Sequence, residues 1–221
     1  MQNLDDQQTL PQRILDRTLA KPGTVWTPVD FVDLGSRDAV DKALQRMAKS
    51  NDLRRIARGL YDKPRTNKLT GKSTVPDYRA VIDAIARRDQ ARLVVDGMTA
   101  ANTLGLTNAV PAKIEVLTDA RLKPIQIGEQ AIVFKQAAPS RLYWADRPGM
   151  YFVQALHWIN DAMQSDSERS RLDHIILRLL ADEKDGQRLR QDLRSGLSAM
   201  PIWMQDILRD PINSASAEAR A

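Results

Sequence analysis

Residues 36–63 join a capped amphipathic helix directly to a pair of short strands, and this order constrains the fold more than any other feature. Ser36 is a good N-cap, because its hydroxyl can accept a hydrogen bond from an otherwise unpaired backbone amide of the first turn. Apolar residues then recur at helical spacing and predict one buried stripe, which consists of Val40, Ala43, Leu44 and Met47. The opposite side of this helix is polar and rich in hydrogen-bond donors.

The next segment, Leu53 to Tyr61, alternates apolar and basic residues and predicts a β-hairpin with Gly59 at its turn. Two helices are predicted upstream: one carries Leu10, Ile14, Leu15, Thr18 and Leu19 on one side, and a short one begins after the N-cap Thr27. A helix, a short helix, a glycine turn, a longer helix and a basic hairpin are, in this order, typical of a winged helix-turn-helix.

Downstream of Pro76 the pattern changes to a helix over residues 77–89, several short strands separated by turns, and helices from Met150 onward. "RLYWAD", residues 141–146, is among the predicted strands. The predicted fold class is therefore α+β, with an N-terminal winged helix-turn-helix followed by a larger mixed α+β domain that ends in helices. The expected divisions are a DNA-binding domain over residues 1–65, a basic linker over 66–76, a second domain over 77–210, and a disordered tail over 211–221.

The net charge of +5 is unevenly distributed along the chain. Residues 1–75 contain 14 Lys and Arg against 9 Asp, whereas residues 76–221 contain 19 basic and 19 acidic residues. One acid, Asp62, lies among seven basic residues between positions 54 and 72: Arg54, Arg55, Arg58, Lys63, Arg65, Lys68 and Lys72. Such a one-sided cluster indicates a polyanionic partner, although a solvated basic loop has the same composition.

The predicted DNA contacts follow from this arrangement. They are Ser36, Arg37, Asp41, Lys42, Gln45, Arg46 and Lys49 on the third helix, with Arg54, Arg55, Arg58, Tyr61 and Lys63 on the hairpin. Gln45 suits adenine recognition, Arg37 or Arg46 suits guanine, and the hairpin arginines suit phosphates or the minor groove. Tyr61 is the exception, because a tyrosine on such a hairpin packs against the helices more often than it stacks on DNA.

Other functions have weaker support. Gly71-Lys72-Ser73 is similar to the end of a phosphate-binding loop, but Thr66 stands where the first glycine is needed and Pro76 interrupts the following helix. His157 and His174 lie among apolar residues, so no metal and no cofactor is predicted. The chain lacks cysteine and a membrane-spanning apolar run, and "MQNLDDQQTL" does not resemble a signal peptide, so a cytoplasmic protein is expected.

Two blocks of sequence resemble the antitoxins of the AbiE abortive-infection type, the regulator halves of type IV toxin–antitoxin pairs. The likeness extends over roughly residues 8 to 160. Its first block contains Ala43–Met47, Leu53–Ile56 and Arg58–Tyr61 up to Pro64, and its second contains Ala101-Asn102, Leu104–Leu106 and Pro111. One departure is the acidic pair Asp38 and Asp41 near the start of the third helix, since acids there repel phosphates.

The resemblance implies a winged domain that binds inverted repeats in double-stranded DNA upstream of its own operon and represses it. It also implies a second domain that counteracts a nucleotidyltransferase toxin, without catalysis of its own. Two alternatives stay open: a transcription factor whose second domain senses a small ligand, and a DNA-reading nuclease that uses Asp96, Glu115 and Asp119. The nuclease has less support, because the lysine that its motif needs just beyond Glu115 is missing from the sequence Glu115-Val116-Leu117.

Overall fold

A computed structural model describes residues 8–162, 166–182 and 184–218, and within these ranges the protein is mixed α+β with eight helices and two sheets. The helices are α1 Leu10–Ala20, α2 Arg37–Lys49, α3 Tyr78–Asp89, α4 Gly97–Thr103, α5 Met150–Ala162, α6 Asp166–Leu180, α7 Gly186–Ser195 and α8 Ile202–Glu218. The strands are β1 Val25–Trp26, β2 Arg54–Ala57, β3 Leu60–Asp62, β4 Leu93–Val95, β5 Lys113–Thr118, β6 Ile125–Ile127 and β7 Gln130–Gln136. Short 3₁₀ helices occupy Pro28–Phe31, Pro139–Leu142 and Leu197–Ala199.

The chain divides into two compact units. The first unit contains the residues up to Arg92 together with Ala120–Phe134, and the second contains Leu93–Asp119 together with the residues from Lys135 onward. No helix within the described ranges has both the length and the apolar composition needed to cross a membrane.

The helices of the first unit begin where their capping residues predict. Thr27 and Asp30 form a capping box at the 3₁₀ helix, in which the Thr27 amide donates to Asp30 Oδ2 at 2.7 Å. At the next helix, the hydroxyl of Ser36 accepts from the Ala39 amide at 3.4 Å and so caps α2. Both predicted starts are confirmed, because capping depends on residues only three positions apart.

The core of the first unit is built around the predicted apolar stripe of α2. The buried cluster contains Ile14, Trp26, Phe31, Val40, Ala43, Leu44, Met47, Leu53 and Tyr61. The stripe of α2 is therefore confirmed in full. On α1, Ile14 and Thr18 are buried as predicted, but Leu19 is exposed to solvent.

The predicted hairpin is present as β2 and β3, and it belongs to a three-stranded antiparallel sheet in the order β1-β3-β2. Ala57 pairs with Leu60, so the turn is made by Arg58 and Gly59, and Gly59 has a φ of +69° that favours glycine. The third strand, β1, was not predicted from the sequence. It is only two residues long, which is too short for an alternating pattern to be visible.

Helix α3 belongs to the first unit, whereas the sequence predicts a domain boundary before it, at residues 66–76. Arg87 Nη2 donates to the carbonyl of Val25 in β1 at 3.0 Å. Arg88 Nη1 donates to the carbonyl of Arg58 in the hairpin turn at 2.5 Å. These two bonds hold α3 against the sheet, and the first unit accordingly extends through Arg92 in addition to Ala120–Phe134.

In the second unit, β4 pairs antiparallel with β5, and helix α4 follows β4 directly. Asp96 caps α4 by accepting from the amide of Thr99 at 2.9 Å. Gly97 allows α4 to lie close to α5, because a Cβ at this position would lie 2.6 Å from the carbonyl oxygen of Gln154. The β6–β7 hairpin, which belongs to the first unit up to Phe134, is antiparallel, with Ile127 opposite Gln130.

Two predictions for the second unit differ from the structure. The segment predicted as a strand at residues 141–146 is instead a 3₁₀ helix, Pro139–Leu142, followed by turns. Its proline pre-sets a helical φ at the first position, and Leu142 and Trp144 are both buried, so the apolar residues pack without strand pairing. The tail expected to be disordered from residue 211 continues as α8 to Glu218, because Ile212 is buried; residues 219–221 lie outside the described ranges.

Candidate nucleic-acid interface

The outer face of α2 presents four long polar side chains to solvent: Lys42, Gln45, Arg46 and Lys49. They are exposed because α2 buries its opposite side, the stripe from Val40 to Met47, and the period of 3.6 residues per turn places these four positions outside that stripe. Within the described ranges, none of the four side chains has a hydrogen-bond or ion-pair partner. Three positive charges and one amide are thus available to an external ligand.

The N-terminal end of α2 is different. The Ser36 hydroxyl is used as the cap, and Arg37 Nε lies 3.0 Å from Asp41 Oδ2 in an exposed ion pair. Asp38 is exposed on the same part of the helix. The predicted contacts Ser36, Arg37 and Asp41 therefore lie on the expected surface but contribute little net positive charge there.

Arg54 is held by protein atoms. Its Nε donates to Asp62 Oδ1 at 2.9 Å and its Nη2 to Asp62 Oδ2 at 2.5 Å, which is a two-bond pairing across the hairpin. The remaining Nη1 donates to the carbonyl of Thr74 at 2.7 Å. Asp62 is buried, so the charge of Arg54 is balanced within the protein, and its contact with a phosphate stays a prediction.

The other hairpin cations divide into two groups. Arg55 and Arg58 have exposed side chains, as a contact with a phosphate requires. Lys63 is half-buried, and its Nζ donates to the carbonyl of Asp52 at 2.7 Å. Arg55 and Arg58 therefore remain candidates for external contacts, whereas Lys63 mainly ties the end of β3 to the residues after α2.

Tyr61 lies in the core of the first unit and is only 4% exposed. Burial raises the pKa of its hydroxyl above the ordinary value. This placement corrects its inclusion among the DNA contacts and agrees with the alternative that tyrosine at this position packs against the helices.

Comparison with known proteins gives one family match. A model of a family of unknown function, DUF6088, matches residues 13–185, which is more than three quarters of the chain. The chain belongs to this family. No curated protein matches it.

One solved structure similar to this DUF6088 chain is that of the RV2827C protein from Mycobacterium tuberculosis. The two are 19% identical, the match covers 93% of this chain and 78% of the other, and the TM-score is 0.40. A likeness at this level supports no conclusion about function.

Residues 65–74 of this DUF6088 chain form a self-contained loop, called the basic finger below. The Gly71 amide donates to the carbonyl of Asn67 at 2.8 Å. The side-chain oxygen of Asn67 accepts from the amides of Leu69 and Thr70, at 2.9 Å and 3.2 Å. Because these amides are used within the loop, they do not converge on a phosphate, and the resemblance to a nucleotide-binding loop has no structural support.

The carboxylates considered for a nuclease also have protein partners. Asp96 accepts from the hydroxyl of Thr99 at 2.6 Å and from the amide of Glu115 at 3.0 Å. Glu115 pairs with Lys135 Nζ at 2.6 Å. Among the described residues of this DUF6088 chain, no three His, Asp or Glu side chains form a group that could hold a metal ion. The structure offers no observation that favours the nuclease over a binding protein.

Proposed function

We propose that the chain is a DNA-binding antitoxin and autorepressor of a type IV toxin–antitoxin operon, with a winged helix-turn-helix in its first unit. In this proposal α2 is the recognition helix and the β2–β3 hairpin is the wing. The observation that carries the proposal is the outer face of α2, where Lys42, Gln45, Arg46 and Lys49 are exposed without partners among the described residues and the hairpin follows directly.

The geometry of α2 suits the major groove of B-DNA, which admits one helix. Gln45 presents an amide that can donate to and accept from adenine, and Arg46 can donate twice to guanine. Lys42 and Lys49 would contact phosphates and add affinity that does not depend on sequence. On the wing, Arg55 and Arg58 would contact the backbone, since Arg54 is paired with Asp62.

The antitoxin part of the proposal rests on the AbiE-type resemblance. It assigns the first unit to inverted repeats upstream of the operon, and the remaining chain to counteracting a nucleotidyltransferase toxin in the cytoplasm, with no reaction catalysed by the chain itself. A stand-alone regulator that senses a ligand would instead bind a metabolite tightly. A nuclease would cleave DNA only when a divalent metal is added.

A titration on DNA from upstream of the operon tests DNA recognition. We expect Gln45→Ala to weaken binding to this DNA by about 1–3 kcal/mol and to change binding to random DNA little, because one base contact is lost. Gln12→Ala, which replaces an exposed glutamine on α1, serves as the matched control and should bind both DNAs as the wild type does. Equal binding of both DNAs by wild type and Gln45→Ala would contradict sequence recognition by α2.

Co-expression with the neighbouring gene tests the antitoxin role separately. We expect the full chain to rescue growth when the neighbouring gene is toxic, and Gln45→Ala to rescue equally, because toxin antagonism is assigned outside α2. A harmless neighbouring gene, or no rescue by the full chain, would contradict the antitoxin role and leave DNA binding unaffected.

A further inference from the structure

The basic finger is an ordered hairpin. The Thr74 amide donates to the carbonyl of Arg65 at 2.7 Å, and the Asn67 amide donates to the carbonyl of Lys72 at 2.8 Å. Thr66 and Ser73 form an antiparallel bridge between these two bonds. Gly71 has a φ of +66° and closes the tip, with no atom near the position of an added Cβ. These bonds define the conformation of the finger without help from a partner.

The tip of the finger is occupied by Leu69, which is 96% exposed, more than any other large hydrophobic side chain in the described part of the chain. A leucine in this position contributes nothing to the core, and its hydration is unfavourable. The side chains around it are cationic: Arg65, Lys68 and Lys72 are exposed, and no acid occurs between Asp62 and Asp77. An apolar tip flanked only by positive charge fits an anionic partner that has an apolar interior.

The base of the finger is fixed to the hairpin. Arg54 Nη1 donates to the carbonyl of Thr74 at 2.7 Å, while the rest of its guanidinium group is held by the buried carboxylate of Asp62. Arg54 thus connects β2, β3 and the finger in one set of hydrogen bonds. The finger therefore keeps a defined position relative to the hairpin proposed above as the wing.

We propose that the basic finger is a minor-groove wedge, in which Leu69 inserts between stacked base pairs of duplex DNA while Lys68 and Lys72 contact the phosphates on either side. Apolar side chains used in this way unstack a base step and kink the duplex toward the major groove. Stacked bases provide the apolar interior, and the phosphates provide the negative charge. The inference rests on the DNA binding proposed for α2 and adds a second contact that bends the DNA.

The test is the end-to-end distance of a duplex of roughly 30 bp from upstream of the operon, labelled with a donor and an acceptor dye and saturated with full-length protein. We expect wild type to raise energy transfer because the DNA bends, and Leu69→Ala to return it to the value of free DNA. Affinity should fall by about tenfold, since a straight duplex touches less of the protein surface than a bent one. Val110→Ala, which replaces an exposed apolar residue of the second unit, should behave as wild type.

Two further measurements separate the wedge from other roles. Asn67→Ala, which loosens the tip without removing a charge or Leu69, should reduce the bend of the DNA. A drug that fills the minor groove should lower the affinity of the wild-type protein for DNA to that of Leu69→Ala. Binding by wild type with the same energy transfer in wild type and Leu69→Ala would overturn the wedge and leave the proposed function standing. Absence of DNA binding by wild type would overturn both. Loss of co-sedimentation with anionic phospholipid vesicles in Leu69→Ala, with an unchanged DNA bend, would assign the finger to a membrane surface and also overturn the wedge.

Discussion

Helix α2 and the hairpin segment over residues 54–63 carry four cations each, but the protein uses them differently. On α2 one cation, Arg37, is paired, through an exposed bridge with Asp41. On the hairpin, Arg54 is held by Asp62 and by the Thr74 carbonyl, and Lys63 by the Asp52 carbonyl. Equal numbers of cations in the sequence therefore correspond to three available cations on the helix and two on the hairpin, within the described part of the chain.

The difference shows that cations in a basic segment serve two purposes. Those with partners in the protein maintain the shape of the hairpin, and removing Arg54 leaves the buried carboxylate of Asp62 without compensation. Replacing a cation that has no partner lowers the stability of the protein little, because exposed charges interact weakly in water. Stability and DNA affinity should therefore respond to different arginines, even when the arginines are neighbours in the sequence.

The largest expected effect comes from the neighbouring pair Arg54 and Arg55. Arg54→Ala leaves the buried Asp62 carboxylate without its partner, and we expect it to lower the free energy of unfolding by about 3 kcal/mol. Arg55→Ala, which removes an exposed side chain from the same strand, should change it by less than about 0.5 kcal/mol. Urea unfolding of both variants measures the difference, and equal stabilities would show that the Asp62 pairing contributes nothing.

The features predicted correctly from the sequence are those set by residues close together in the chain. The cap at Ser36, the stripe from Val40 to Met47 and the turn at Gly59 each depend on contacts within about one helical turn or one tight turn. The Arg54–Asp62 pair was missed, although opposite charges that face each other across a hairpin are a known signal. Finding it requires the strand register, which is irregular between Arg55 and Ala57.

Features that depend on distant parts of the chain could not be predicted. Strand β1 is identified only by its pairing with β3, and the inclusion of α3 in the first unit depends on bonds from Arg87 and Arg88 to residues at least 30 positions away. The alternation in residues 141–146 is the opposite case: a pattern typical of a strand is satisfied by burial of Leu142 and Trp144 from a 3₁₀ helix and turns. For the candidate interface, the sequence predicted the surface of α2 but not which hairpin cations have partners.

The second prediction concerns the salt dependence of DNA binding, whose slope is proportional to the number of phosphates that the protein contacts. We expect Arg55→Ala to flatten the log–log slope of affinity against salt by about 0.9, because one released counterion is lost. The double replacement Arg54→Met with Asp62→Leu removes a charge pair of zero net charge and keeps apolar packing, so it should fold and leave the slope unchanged. A flatter slope in the double variant would show that Arg54 contributes to phosphate binding despite its pairing, directly or by holding the basic finger through the Thr74 carbonyl.

The smallest expected effect concerns an exposed pair before α2. Arg17 donates to both carboxylate oxygens of Asp33, at 2.7 Å and 2.6 Å, and these hydrogen bonds lower the pKa of Asp33 from 3.8 to about 2. A lowered pKa in the folded state means that folding favours the ionised carboxylate. Its contribution to stability is therefore complete above the unfolded pKa near 4 and is lost as the pH falls toward about 2.

Asp33→Asn removes this contribution. The difference in unfolding free energy between wild type and variant should therefore be constant from neutral pH down to about 5, and should disappear gradually as the pH falls from about 4 to about 2. The gap should be small at every pH, because both side chains are accessible to water, which screens their attraction. Arg17→Gln should show the same pH-dependent part of the gap, with a further constant part because Arg17 Nη1 also donates to the carbonyl of Asp30 at 2.7 Å. If wild type and Asp33→Asn still differ in unfolding free energy at low pH, the replacement disturbs packing. The destabilisation by losing an exposed pair could then not be distinguished from that by losing the buried Arg54–Asp62 pair.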